Sequence, residues 1–385
     1  MKIIVTANSA WSVWNFRRRL ITALLADGHE ITILAPTDNC VADLENLGCR
    51  FLPLSMDVKG LSSIAGIRLL YRLLRIFSRE RPDAVLGYTI KNNIVGAIAA
   101  QFLRIPFIPN ITGLGTAFLS GSFLLKFAEL LYRIAFLHVP IVFFQNEDDL
   151  SLFVRRRLVH GLQARLLPGS GIDLTKFSPV PMPEAQTAPV FLMIARLLRD
   201  KGVSEFVEAA RAISATDPSV RFQLLGQVGS QNRSAIDAET LQGWISAGIV
   251  EYLGEVDDVR PHIAAATCIV LPSYREGAPR SLMEAAAMAR PVITTNVPGC
   301  RSVVDQDISG FLCEVRAAAS LIAAMRRFLA LRHQEREMMG RAGRLKMERE
   351  FDEEIVVEAY RNAISFIRTV PREETMLHKK LSSVD

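Results

Sequence analysis

The feature that most constrains this chain is an alternation, carried through twice, of short apolar runs with longer stretches whose apolar residues recur at helical spacing. In the first half the runs lie at residues 1–6, 31–35, 84–88, 105–110 and 141–144, with helical patterns such as 12–27 between them. Unbroken apolar runs of this length suit strands covered on both faces, which is the condition of a parallel sheet. Parallel neighbours need a long crossover, so run, helix and run together make a βαβ unit. The expected class is α/β, with a doubly wound parallel sheet.

Residues 178–189 read Ser-Pro-Val-Pro-Met-Pro-Glu-Ala-Gln-Thr-Ala-Pro and have no apolar period, as a linker would. A fresh series of runs follows at 190–195, 222–225, 250–253, 268–271, 291–295 and 310–313. A chain of 385 residues is long enough for two cores. The expected division is 1–178, a linker at 179–189, a second domain at 190–350, a helix at 351–370 returning to the first domain, and a loose tail at 371–385.

Half of the residues are hydrophobic and the mean hydropathy is +0.22, which raises the question of a membrane span. A span needs a run of about 20 apolar residues, and none is present. The nearest candidate, 123–144, carries Lys126, Glu129, Arg133 and His138 and is broken by Pro140. Met1-Lys2-Ile3-Ile4-Val5-Thr6 reads as a strand rather than a secretory signal, so a cytoplasmic location is expected. Cys40, Cys49, Cys268, Cys300 and Cys313 have neither CxxC spacing nor a histidine cluster and read as free thiols. A net charge of +5 favours an anionic partner without choosing among them.

Ligands of open parallel sheets bind beyond the carboxyl ends of the strands. After Leu271 the chain reads Pro272-Ser273-Tyr274-Arg275-Glu276-Gly277-Ala278-Pro279-Arg280-Ser281-Leu282-Met283-Glu284-Ala285. Ser281 with Glu284 reads as a capping box, and Pro279 restrains the turn. A helix starting here turns the N–H groups near Ala278 to Leu282 toward an anion. Glu284, in its first turn, is placed to accept from a ribose, with Glu276 nearer a sugar. Alone, the two glutamates read as a helix cap and a solvated loop residue. The loop after Ala195 changes that reading, because Arg196-Leu197-Leu198-Arg199-Asp200-Lys201-Gly202 sets two cations at a strand end, within reach of a diphosphate. Fixed cations and helix N–H groups stabilise a departing nucleoside diphosphate without a metal. Asp148-Asp149 and Asp257-Asp258 lack supporting ligands, so no metal is expected.

Arg196, Lys201, Gly226, Gly254, Glu276-Gly277 with Glu284 and Ala285, and Val297-Pro298-Gly299 together resemble the retaining glycosyltransferases of family 4. Pro168-Gly169-Ser170-Gly171-Ile172-Asp173 and Phe177-Ser178-Pro179 extend the likeness over nearly the whole chain. The resemblance implies the GT-B fold, two Rossmann-like domains facing across a cleft. It implies Arg196 and Lys201 on the donor diphosphate, Glu284 on the ribose, and Glu276 on the transferred sugar or its phosphate. Gly226, Gly277, Ala278, Pro279, Arg280 and Ser281 would complete the donor site. No cofactor is implied beyond a nucleotide-sugar co-substrate, expected to be a UDP-sugar, and transfer would be front-face and phosphate-assisted. The chain departs from the family at Asn8-Ser9-Ala10, where many members have paired glycines, at Thr112, where many have histidine, and at Asn296, where aspartate is common.

Tyr88-Thr89-Ile90-Lys91-Asn92-Asn93 with residues 110–118 resembles the subgroup that extends undecaprenyl-diphosphate-linked sugars, N-acetylgalactosaminyltransferases of bacterial glycan assembly among them. This implies Lys91, Asn110 and Thr112 on the acceptor side. Residues 66–81 form a basic amphipathic pattern and 123–138 are apolar around much of the helix, which suits an anionic membrane surface. The same patterns also suit a helix with one core-facing stripe. A peripheral place on the inner face of the cytoplasmic membrane is expected, and no nucleic acid. The alternatives are a UDP-N-acetylglucosamine 2-epimerase-like isomerase and a non-catalytic basic membrane-surface module. A nicotinamide dehydrogenase is disfavoured because no GxGxxG opens either domain.

Overall fold

The computed structural model describes residues 1–56, 63–113, 122–229, 232 and 234–369. These fall into two compact units, one of Met1–Ser170 with the chain from Glu353 on, the other Gly171–Asp352.

The first unit holds a parallel sheet of β1 (Lys2–Thr6), β2 (Glu30–Ala35), β3 (Arg50–Pro53), β4 (Ala84–Tyr88), β5 (Phe107–Ile111), β6 (Val142–Phe144) and β7 (Ala164–Leu166), in the order β3-β2-β1-β4-β5-β6-β7. β1 is an inner strand, with Ile3 opposite Ile31 on one side and Ala84 on the other. Burial of Ile3, Val85, Ile108 and Phe144 on a sheet covered by helices explains why these strands read as continuous apolar runs. β3 and β7 have no counterpart among the expected strands. Both are edge strands, short and largely unburied, and β3 contains Pro53, so neither carries the apolar signal of a covered strand.

Helix Glu353–Thr369 packs on helix Ala10–Ala26 within this unit. Its Tyr360 is fully buried against Phe143, 4.8 Å between ring centroids, and Arg361 holds Asp27 through two hydrogen bonds of 2.7 and 2.8 Å.

The second unit holds β8 (Val190–Ile194), β9 (Arg221–Leu225), β10 (Glu251–Tyr252), β11 (Cys268–Leu271), β12 (Val292–Thr295) and β13 (Gly310–Cys313), in the order β10-β9-β8-β11-β12-β13 and parallel throughout. In both sheets the strand order reverses beside the first strand, so each has a topological switch point there.

Residues 171–189 belong to this second unit, and the start of the proline-rich stretch is tied to it. Ile172 and Phe177 are buried in its core, and Arg290 binds the carbonyls of Val180 and Pro181. The tail at 371–385 and residues 114–118 lie outside the described residues. No described helix is long and apolar enough to cross a membrane, and all five cysteines are free.

Candidate functional site

At the switch point of the second sheet, the loops leaving β8 and β11 are tied backbone to backbone. The Asp200 carbonyl accepts from the Tyr274 N–H at 2.9 Å and from the Ser273 hydroxyl at 3.2 Å. Ser273 is fully buried, and its own carbonyl accepts from the Thr295 hydroxyl at the end of β12. Gly202 closes the β8 loop in the left-handed region at φ 79°, and a Cβ there would lie 2.1 Å from the Pro272 carbonyl oxygen. Only glycine meets both conditions. The loop after β12 joins the same cluster, since the Glu276 N–H donates to the Pro298 carbonyl at 3.2 Å. Gly299, at φ 79°, leaves no room for a Cβ, which would stand 2.4 Å from the Glu276 carbonyl oxygen.

This framework sets Lys201 against Glu276, and the two form an ion pair directly across the switch point. Their side chains are 23% and 13% exposed, so the pair is sheltered yet open to a ligand. Arg196 is exposed, and its side chain has no partner among the described residues. Tyr274 braces the loop from beneath. Its hydroxyl donates to Glu205 at 2.7 Å, the Arg316 guanidinium lies 4.6 Å from its ring centroid, and burial with the nearby Glu205 pushes its pKa up to about 12.

Helix Arg280–Ala287 starts at Pro279, which supplies no side-chain cap. The capping box expected of Ser281 and Glu284 is absent. Ser281 is the second helical residue, and Glu284 falls past the first turn, where it accepts from Arg280 at 3.0 Å. The first helical bond runs from the Met283 N–H to the Pro279 carbonyl, so the N–H groups of Ser281 and Leu282 have no carbonyl within the helix. No side-chain cap covers these N–H groups. Gly277 and Pro279 are buried, and Ala278 is half-buried. Burial raises the Glu284 carboxyl above the usual carboxylate range, and Arg280 offsets part of the rise.

Gly226 follows β9, but both its backbone groups are engaged. Its N–H donates to the Gly254 carbonyl at 2.8 Å, and its carbonyl accepts from the Tyr252 hydroxyl at 3.0 Å. It serves close packing, because a Cβ there would stand 2.1 Å from the Ala195 carbonyl oxygen.

In the first unit, Asn110 is fully buried. Its amide donates to the Tyr360 hydroxyl at 3.1 Å and its Oδ1 accepts from Gln145 at 3.3 Å. Asn110 is thus held inside the first unit, with both ends of its amide engaged. Thr112 is half-buried just past β5, and Lys91 stands in the first turn of helix Ile90–Phe102. Among the described residues no cluster of three or more histidine, cysteine or acidic side chains is placed to hold a metal.

Two family models match: that of the glycosyl transferases group 1 over residues 188–330, and the glycosyl transferase 4-like domain over residues 13–169. The chain is a glycosyltransferase of family 4. It is 26% identical over 337 residues to the N,N'-diacetylbacillosaminyl-diphospho-undecaprenol alpha-1,3-N-acetylgalactosaminyltransferase of Campylobacter jejuni, covering 83% of this chain and 87% of that one. It is 28% identical over 293 residues to the UDP-Gal:alpha-D-GlcNAc-diphosphoundecaprenol alpha-1,3-galactosyltransferase of Escherichia coli, covering 72% of each. Among solved structures, sucrose-phosphate synthase from Thermosynechococcus elongatus superposes with a TM-score of 0.78 at 20% identity, covering 95% of this chain and 99% of that one. The glycosyltransferase thus has the two Rossmann-like domains of the GT-B fold.

The glycosyltransferase also uses residues that the sequence reading passed over. Asp200, Ser273 and Thr295 lock the Lys201 and Glu276 loops together, and Glu205 anchors Tyr274. Little in the linear chain marks them, since each acts on a partner at least 22 residues away. Only the Pro272-Ser273-Tyr274 opening of the loop was a signal.

Proposed function

We propose that this glycosyltransferase moves a hexose or N-acetylhexosamine from a UDP-sugar to a polyprenyl-diphosphate-linked sugar, with retention of anomeric configuration, in bacterial surface polysaccharide or glycan assembly. The observation that carries the donor half is the Lys201–Glu276 pair across the switch point, beside a helix whose N-terminus is uncapped. Lys201, the exposed Arg196 and the N–H groups of Ser281 and Leu282 are the donors that would meet a diphosphate, and their fixed positions would stabilise the charge that grows on it as the glycosidic bond breaks. Glu276, released from Lys201 as the cation turns to phosphate, would face the sugar. The acceptor class rests on the two diphosphoundecaprenol-dependent relatives.

The first unit supports a membrane-surface reading. Helix Ser63–Glu80 buries Leu69, Leu73 and Phe77 but leaves Ile64, Ile67 and Tyr71 each more than 60% exposed. Arg68, Arg72 and Arg75 stand among them, also exposed. Helix Ser122–Ala135 likewise leaves Phe127, Leu130 and Ile134 about half exposed at helical spacing. The core stripe and a second, outward apolar stripe are both present. The basic outward stripe suits anionic lipid at the inner face of the cytoplasmic membrane. Flotation with phosphatidylglycerol vesicles is expected to carry the wild type and to lose an Ile67→Glu, Tyr71→Glu double variant; equal flotation of both would remove this stripe from the interface.

The test of the reaction is UDP release from UDP-sugars, compared with GDP- and dTDP-sugars, with and without a polyprenyl-diphosphate-linked sugar and with EDTA present. Acceptor-dependent UDP release is expected despite the chelator, and no release from any donor would overturn the reading.

Glu284 gives the site a pH dependence. The ionised carboxylate accepts from ribose hydroxyls, and burial holds its pKa above the ordinary value. UDP affinity is therefore fully present above that raised pKa and is lost as the pH falls through it, earlier on acidification than an ordinary carboxylate would dictate. Calorimetric titration across pH 5 to 8 should show the fall in the wild type and a flat, weaker profile for Glu284→Gln; parallel profiles would remove Glu284 from the nucleotide.

A further inference from the structure

The first sheet has its own switch point, between β1 and β4, and helix Ile90–Phe102 begins there. We propose that the start of this helix, with Asn92, is a diphosphate-binding site that holds the diphosphate of the lipid-linked acceptor; the identity of the occupant rests on the acceptor class proposed above.

Thr89 is the N-cap of the helix and supplies no side-chain cap. The first helical bond runs from the Asn93 N–H to the Thr89 carbonyl at 2.9 Å. The N–H groups of Ile90 and Asn92 therefore have no carbonyl within the helix and stand at the positive end of its dipole. Lys91 adds a cation in the same turn.

The second observation is independent of the helix end. Asn92 is fully buried, and neither its Oδ1 nor its Nδ2 has a partner. A buried side-chain amide with both ends unpaired is rare in a folded protein and calls for a ligand. Side chains on a helix lean toward its N-terminus, so Asn92, in the first turn, reaches back toward the uncapped N–H groups. Asn93, the next residue, packs against the end of β4: its Oδ1 lies 2.6 Å from where a Cβ on Gly87 would stand. Its Nδ2 is committed to the Asn110 carbonyl at 2.8 Å. Asn92 Nδ2 is thus the donor left over, at the end of a sheet whose ligands bind on this edge. The buried Asn110 gains a role as the anchor that fixes Asn93, and with it the first turn.

The test is calorimetric titration of the full chain, saturated with UDP to fill the second unit's site, with inorganic diphosphate and with farnesyl diphosphate. Wild type is expected to bind both, and a preference for farnesyl diphosphate would identify the lipid-linked source over free diphosphate. Asn92→Leu, which removes the amide, and Asn92→Asp, which keeps its shape and adds a like charge, should each weaken binding at least 10-fold, with UDP affinity and Tm held. Equal diphosphate affinity in wild type and both variants would overturn the site. So would an Asn92 variant with the wild-type KM for the acceptor in the UDP-release assay, while leaving the transferase reading standing. If the wild type releases no UDP in response to acceptor, that reading falls, and lost diphosphate binding in the variants still establishes the site.

Discussion

Replacing Lys201 with alanine is expected to lower kcat about 100- to 1000-fold, the usual consequence of removing one fixed donor from a developing anion. KM for the nucleotide sugar should move far less, because Arg196 and the start of helix Arg280–Ala287 remain to hold the ground-state diphosphate. The size of the effect follows from shelter: Lys201 and Glu276 are 23% and 13% exposed, so the cation acts through a medium that screens it less than bulk water does. The variant also strands Glu276 without its partner, which adds to the loss. Lys201→Arg should recover little, since a planar fork on a different stem does not reproduce a point charge fixed by Gly202 and the Asp200 carbonyl. Initial-rate measurements of UDP release at saturating donor decide it. A kcat within a few-fold of wild type would take Lys201 out of the reaction.

The second large effect concerns stability. Arg290 is fully buried, and its guanidinium donates to three carbonyls, Val180 at 3.0 Å, Pro181 at 2.6 Å and Ala264 at 2.7 Å. Burial pulls its pKa down only to about 10, so it stays charged at neutral pH. Arg290→Ala removes the donor from all three carbonyls and leaves a cavity, and is expected to cost about 3–5 kcal/mol, the range for breaking a buried charged set from one side. Arg290→Met should cost less, because its stem refills the space while the carbonyls remain unpaired. Urea unfolding read by fluorescence distinguishes the units, since Trp244 lies in the second and Trp11 and Trp14 in the first. A midpoint unchanged in Arg290→Ala would mean that the proline-rich stretch contributes nothing to the second unit's fold.

Much of this fold is legible in the sequence. Covered parallel strands must be apolar on both faces, so β1, β2, β4, β8, β11 and β12 announced themselves as unbroken runs, and the helices between them followed from the need to cross over. Edge strands carry no such requirement, which is why β3 and β7 left no mark. The residues proposed to hold the donor stand out because they lie near one another in sequence at strand ends: Arg196 and Lys201 after β8, Glu276 and Glu284 after β11.

By itself, then, the sequence determined the two doubly wound sheets and the charged residues at their strand ends, since local period and composition encode both. Tertiary structure alone decided what those residues do to one another. The pairing of Lys201 with Glu276 spans 75 positions, and the helix beside it starts without a side-chain cap because it begins at Arg280, which puts Ser281 inside it and Glu284 past its first turn. Residues 179–189 look like a linker by composition, yet Arg290, more than 100 positions away, binds the carbonyls of Val180 and Pro181 and ties their start to the second unit. Interactions at that separation depend on which strands lie side by side, and strand order is a property of the packed sheet.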